Sequence, residues 1–196
     1  MSRMRKTLVT LLVLGVVGTL AGVGTFSAFS STTDNTGNTF AAGTVYIADN
    51  DAGSAMYNVT NQKPGDQTVK CIRLTYTGSL AATVKLYTGS TINAVGDYID
   101  FSIEKGSMPV GTTFPNCTGF SSESTIYNGE LDDFATANNS YANGLSAFPG
   151  VQTQWNQNDT LVYRFTLTLQ DNNSANGGAA ALATGAHTFT WEARNQ

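Results

Sequence analysis

Alternation of apolar and polar residues is the main signal along this chain, and it predicts β-strands. In TLVYRFTLTLQ, residues 160–170, every odd position from Leu161 to Leu169 is apolar or aromatic. Side chains of a strand point alternately to opposite faces, so one face of this strand is buried and the other is wet. The same period recurs in 82–89, 98–106 and 187–194, with inward positions Ala82, Val84, Leu86, Ile99, Phe101, Ile103, Phe189, Trp191 and Ala193.

Shorter patterns predict further strands at 40–48, 55–61 and 68–78. Turn sequences such as KPGD at 63–66 and TGS at 77–79 separate them. Seven or more short strands at this spacing are typical of a sandwich, so the predicted fold is all-β, a jelly-roll-like antiparallel β-sandwich with long loops. One short helix is predicted at 129–139, with Leu131, Phe134 and Ala135 on one side, and loops at 117–124, 138–154 and 171–185.

The N-terminal residues have the pattern of an export signal. A basic cluster of Arg3, Arg5 and Lys6 precedes an uncharged apolar run over 8–23. The run ends in small residues, and Ala28 fits the position before a signal-peptidase cut, although Phe26 departs from the small residue expected two positions earlier. An uncleaved anchor over 7–29 is the alternative, since about 20 apolar residues span a bilayer.

Composition and charge place the exported part outside the cell. Only 12% of the residues are charged, and the net charge is -4. Without the three basic residues of the leader, the chain has 7 basic and 14 acidic side chains, so the net charge of the exported part is -7. Nucleic acid is therefore excluded as a partner, because binding phosphates needs clustered Lys and Arg. We expect a secreted or cell-surface protein that touches the membrane only through its signal before cleavage.

The two cysteines, Cys71 and Cys117, predict one disulfide. An even pair in an oxidising compartment pairs readily, and closing this loop is worth roughly 4 kcal/mol in the chain-entropy model. Metal binding is the alternative, but no CxxC spacing accompanies them.

No catalytic constellation is visible in the sequence. The chain has a single histidine, His187, so the zinc-protease motif with two histidines is impossible, and the parity of His187 with Phe189 indicates an ordinary residue at a strand end. Asp49 and Asp51 in ADNDAG loosely resemble a calcium loop, but the pattern fails beyond Gly53 and favours a polar turn. We therefore predict no enzyme activity, no cofactor and no metal site.

Five phrases, taken in order, resemble the TasA/camelysin family of secreted bacterial matrix proteins. They are GTFSAF, NTFAAGTV, TNQKPGDQTVKCIRLTYTGSLAATVKLY, WNQNDTLVYRFTLTLQDNNSAN and HTFTWEARNQ, and they run nearly from end to end of the chain. The resemblance implies a jelly-roll sandwich, exported through a signal peptidase of the SipW type, that polymerises with itself into fibres of an extracellular biofilm matrix.

The family's donor-strand mechanism also implies a division of the chain. Residues 1–28 are the signal peptide, cleaved between Ala28 and Phe29, and 39–196 are the β-sandwich domain. The segment 29–38 becomes a donor strand that lies in a groove of the next subunit; on composition alone it is a disordered tail. Its residues are Phe29, Ser30, Ser31, Thr32, Thr33, Asp34, Asn35, Thr36, Gly37 and Asn38.

Two other functions compete with fibre formation. Camelysin-like members have been described as metalloproteases, but no ligand set for a metal can be carried over to this sequence. A monomeric surface or carbohydrate-binding sandwich is the other alternative, and its ligand face would use Trp155 and exposed tyrosines. Trp155 itself reads as a residue at the rim of the core.

Overall fold

Two antiparallel sheets form the fold in the computed structural model, which describes residues 42–172 and 183–196. Residues Ala42–Gln196 make one compact unit. The strands in these ranges are β1 Ile47–Asp49, β2 Gln67–Tyr76, β3 Ala82–Tyr87, β4 Ile99–Ser107, β5 Ser121–Glu130, β6 Leu145–Ser146, β7 Thr160–Leu169 and β8 Thr190–Asn195. A 3₁₀ helix, Ala94–Tyr98, precedes β4, and one α-helix, α1 Leu131–Ala137, follows β5.

The sheets differ in size. The larger has the order β1-β2-β7-β4-β5, and the smaller has the order β6-β3-β8. Long ladders join β2 to β7 and β4 to β7, whereas β1 pairs with only the last three residues of β2. In the smaller sheet β8 pairs with β3 along its whole length, and β6 contributes two residues.

The core lies between the sheets and is built from the alternating positions. Phe189 bridges the two sheets, because its ring stacks on Phe101 of β4 at 5.7 Å and meets Phe165 of β7 at 5.0 Å. Trp155 is fully buried, and its indole N–H donates to the Ala147 carbonyl at 2.7 Å. The largest fully buried side chains are Trp155, Tyr76, Tyr163, Phe101, Phe134, Phe165, Ile72, Leu74, Leu86, Ile103, Leu131 and Leu161.

A second, smaller apolar cluster lies on the opposite face of β2 and β7. Cys71 and Cys117 form the predicted disulfide, with Cα atoms 5.2 Å apart. The bond holds the 108–120 loop against the sheet, where Met108, Cys117 and Phe120 pack on Val162. Val162, which alternation assigned to the wet face, is buried for this reason.

The predicted fold class is confirmed, and so are the inward faces of β3, β4, β7 and β8 and the three buried residues of α1. The strand predicted at 55–61 is wrong, because this segment has no ladder partner and is held by side-chain packing of Met56 and Tyr57. The loops predicted at 117–124 and 138–154 are wrong in part, since β5 begins at Ser121 and β6 lies at 145–146.

Several N-terminal predictions lie outside the described residues. They concern the signal peptide 1–28, the cut between Ala28 and Phe29, and the donor segment 29–38. Within the part of the chain that the structure describes, no helix has both the length and the apolar character needed to cross a bilayer.

Candidate functional site

A groove opens between the two sheets on the side where β1 and β8 lie. It has a volume of about 240 Å3. The end of β2 forms its apolar floor through Leu74, and β1 and β8 form its walls. The lining residues are Ile47, Ala48, Asp49, Asp51, Leu74, Phe189, Thr190 and Trp191.

The groove exists because the smaller sheet stops at β8. No described residue makes a backbone hydrogen bond to the outer edge of β8, which leaves a row of peptide groups facing the groove. The core-facing residues Trp191 and Ala193 are only partly buried, although their partners on β3, Leu86 and Val84, are fully buried. A further strand beside β8 would pair these peptide groups and cover these side chains.

Two polar atoms are buried at this edge without a partner among the described residues. They are the indole N–H of Trp191 and the hydroxyl of Tyr163, whose rings are 5.6 Å apart. Burial raises the pKa of Tyr163, and the neighbouring Trp191 indole opposes this rise, although the two groups fall outside hydrogen-bond geometry. Leaving these two buried polar atoms unpaired is costly for the folded domain.

Asp49 and Asp51 at the mouth of the groove form a turn, as predicted. The Asp49 carboxylate accepts the Asp51 N–H at 3.1 Å, and the Asp51 carboxylate accepts the Gly53 N–H at 2.6 Å. Burial, followed by the nearby Asp51, raises the pKa of Asp49, while the Asp51 backbone N–H opposes that rise. These carboxylate oxygens therefore hold the turn that follows β1.

His187 lies three residues before β8, because the strand predicted over 187–194 begins only at Thr190. Its Nε2 lies 2.5 Å from the Tyr57 hydroxyl, and its Nδ1 lies 3.0 Å from the Gly185 carbonyl. The tautomer that satisfies both bonds carries its proton on Nδ1 and accepts from Tyr57. Both ring nitrogens thus anchor neighbouring loops.

The described residues do not offer a ligand set for a metal ion. No three His, Cys, Asp or Glu side chains lie close enough together in residues 42–172 and 183–196. His187 is engaged on both nitrogens, and the two cysteines are bonded to each other. Outside these ranges the sequence contains a single residue of these four types, Asp34.

Trp155 cannot serve a ligand face, because it is fully buried and its N–H is used in the core.

The residues that line the groove were not predicted from the sequence as a site. Alternation placed Phe189 and Trp191 on the inner face but carried no signal that β8 is a sheet edge. That property depends on how many strands share its sheet.

The comparisons with known proteins identify a family. The model of a family described as camelysin metallo-endopeptidase matches residues 3–103, which are 101 of the 196 positions. No curated protein matches the chain significantly. The family match overturns our prediction that the chain is not an enzyme, because the family is described by a peptidase activity. The sequence reasoning had relied on the missing ligand motif.

Proposed function

The chain belongs to the camelysin metallo-endopeptidase family, and we propose that it is a secreted member that polymerises into extracellular biofilm matrix fibres by strand addition. The observation that carries this proposal is the unpaired edge of β8 beside an apolar groove. Such an edge accepts an extended segment through main-chain hydrogen bonds, and the groove supplies apolar contact.

The donor in this proposal is segment 29–38 of a neighbouring copy. It has one large apolar side chain, Phe29, so most of its binding comes from its backbone. Each subunit both gives and receives a strand, so the contact is heterologous and propagates as a filament. The groove offers what this needs, namely peptide groups on β8 and an apolar floor.

Secretion in this proposal follows removal of residues 1–28 by a signal peptidase of the SipW type. The Cys71–Cys117 disulfide supports an extracytoplasmic destination, since such bonds persist in oxidising compartments. N-terminal sequencing of the secreted protein tests this step, and we expect it to begin at Phe29.

Deleting residues 29–38 from the mature protein tests the donor. The described elements begin at Ile47, so we expect the truncated domain to fold with an unchanged circular dichroism spectrum. We expect no filaments by electron microscopy. Fibres of normal appearance from the truncated protein would refute the donor role.

A point substitution tests the same role more finely. Thr33→Pro removes one backbone donor from the intermolecular ladder and should slow or stop elongation. Thr33→Val is the matched control, because it keeps the N–H and should elongate like the parent.

The acceptor is tested separately at Ala48, which lines the groove. Ala48→Arg places a long charged side chain in the path of the incoming strand and should block elongation while the monomer stays folded. Ala142→Arg, in an exposed loop, is the control and should elongate normally. Equal elongation by both variants would place the acceptor elsewhere.

The family description favours proteolysis as a second candidate function. Its test is hydrolysis of casein by purified mature protein, with and without a chelator. Cleavage that stops with chelator and returns with added Zn²⁺ would establish a metal-dependent peptidase. Unchanged activity with chelator, or no cleavage at all, would count against a metal-dependent peptidase.

A further inference from the structure

Among the described residues, most of the large exposed apolar side chains belong to segments at one end of the sandwich. We call this the loop-tip end; it is the end at which β2 and β4 finish and β3, β5 and β7 begin. Of the six large apolar residues exposed among the described ones, four belong to segments at this end, namely Tyr46, Leu80, Val110 and Val151. Val110 is 97% exposed and Val151 is 100% exposed.

Fixed contacts hold these segments at the loop-tip end. Arg73 donates to the carbonyls of Met108 and Pro109 at 2.8 and 2.7 Å, which positions the turn that carries Val110. Lys105 donates to the carbonyls of Phe148 and Gly150 at 2.7 and 2.9 Å, directly before Val151. The two valines are therefore presented on anchored loops.

The N-terminal segment joins the domain at the same end. The Thr44 carbonyl accepts the Leu80 N–H at 3.1 Å, and the Tyr46 carbonyl accepts the Thr77 N–H at 2.9 Å. Ala42, the first described residue, is therefore two residues from a contact with the β2–β3 turn.

Chain length then limits how far apart two subunits can be. Four Cα steps separate Asn38, the last donor residue, from Ala42, and an extended chain covers at most about 14 Å in that number. A subunit that holds Asn38 must consequently come close to the loop-tip end of the donor subunit.

We propose that the loop-tip end packs directly against the next subunit, with Val110 and Val151 buried in that contact. This inference rests on the proposed function, and its partner is a second copy of this chain. The strand supplies the connection, and the valines add a domain-to-domain contact that fixes the angle between subunits. Each of these valines is almost fully exposed in the single subunit, so a subunit contact at this end would remove its apolar surface from water.

The test compares two double variants of the mature protein, residues 29–196. Val110→Ser with Val151→Ser should raise the critical concentration for elongation at least fivefold, measured by sedimentation, with thermal unfolding of the monomer unchanged. Val59→Ser with Val69→Ser is the matched control, since these valines are exposed on the β1–β2 connection and on β2, away from the loop-tip end. The control should shift the critical concentration less than twofold.

Radical footprinting of the parent protein gives a second measurement that needs no variant. Labelling of the peptides that contain residues 110 and 151 should fall on assembly, while labelling of the peptide that contains Val69 should persist. Equal critical concentrations for both double variants, or unchanged labelling at 110 and 151, would overturn the inference and leave strand addition intact.

Two further outcomes are distinguishable. A parent that never polymerises would refute the proposed function, and this inference with it. Binding of monomeric parent to phosphatidylcholine vesicles, lost in the Val110/Val151 variant, would identify the loop-tip end as a lipid contact and overturn the proposal of a protein partner.

Discussion

Single side chains connect the long loops to the sheets. Lys105 is mostly buried, and its ammonium group binds two carbonyls of the β6–β7 loop and lies 3.7 Å from Glu123. Arg73 plays the corresponding part for the β4–β5 loop. Both residues were visible in the sequence only as charges in strands, because the carbonyls they bind are distant in the chain.

Replacing Lys105 tests how strongly such a contact stabilises the fold. Lys105→Met keeps the apolar stem but leaves the carbonyls of Phe148 and Gly150 without their donor, which should lower the free energy of unfolding by about 1–3 kcal/mol. Urea unfolding of parent and variant measures this change in the free energy of unfolding. Lys63→Met, at an exposed turn, should change stability by less than about 0.5 kcal/mol. Equal effects for the two variants would contradict the role given to Lys105.

The disulfide supports a prediction at the same scale. Cys71→Ser opens a loop of 46 residues and leaves a hydroxyl in a fully buried site. We therefore expect the free energy of unfolding to fall by about 2–5 kcal/mol, while the variant is still exported. Mass spectrometry of the freshly secreted parent should show two hydrogens fewer than the reduced form. Two free thiols in that sample would count against the bond.

At the scale of elements, strands with a regular apolar period were readable from the sequence, including the edge strand β8, whereas β5, which lacks such a period, was not. β7 lies between β2 and β4, and its alternation follows from that position. β5 is an edge strand whose first five residues are all exposed, so SSEST carries no apolar period. The predicted strand at 55–61 had Met56, Tyr57 and Val59, but these residues satisfy packing contacts rather than a ladder.

A polar network on the outer face of the smaller sheet adds to the backbone ladder between β8 and β3. Tyr87 donates to Glu192 at 2.8 Å, and Arg194 donates to the same carboxylate at 2.6 Å. The Arg194 bond, followed by the Tyr87 bond, holds the pKa of Glu192 below its usual value, while burial opposes this shift. A lowered folded-state pKa means that this stabilisation is present above the unfolded pKa of about 4.3 and is lost as pH falls through the folded value.

Glu192→Gln should therefore lower the melting temperature slightly at pH 7, and this difference should shrink as pH falls through the lowered pKa of Glu192. The change is small because the groups are partly exposed and solvent screens them. Thermal unfolding of parent and variant from pH 7 downwards measures the difference. A destabilisation that does not change with pH would indicate lost packing instead.

At the scale of the whole molecule, charge is unevenly distributed. The end opposite the loop-tip end, where β2 and β4 begin and β5 and β7 finish, carries seven carboxylates and one lysine among the described residues. Burial, and then neighbouring Asp97, raises the pKa of Asp132 within this group. The residues are Lys63, Asp66, Asp97, Asp100, Glu130, Asp132, Asp133 and Asp171.

This charge leads to a prediction for assembly, which rests on the proposed function. Mature subunits of net charge -7 repel one another, whereas main-chain pairing and apolar burial depend little on ionic strength. Raising salt from 0.01 M to 0.15 M shortens the screening length from about 30 Å to about 8 Å, so elongation should become faster. Light scattering on parent protein measures the elongation rate.

A variant tests the same repulsion. Asp133→Asn, which removes an exposed charge from the acidic end, should elongate faster than the parent at low salt, and its elongation rate should respond less to added salt. Slower elongation at high salt would mean that attraction between unlike charges drives the subunit contact, and the acidic end would then be part of that contact rather than a source of repulsion.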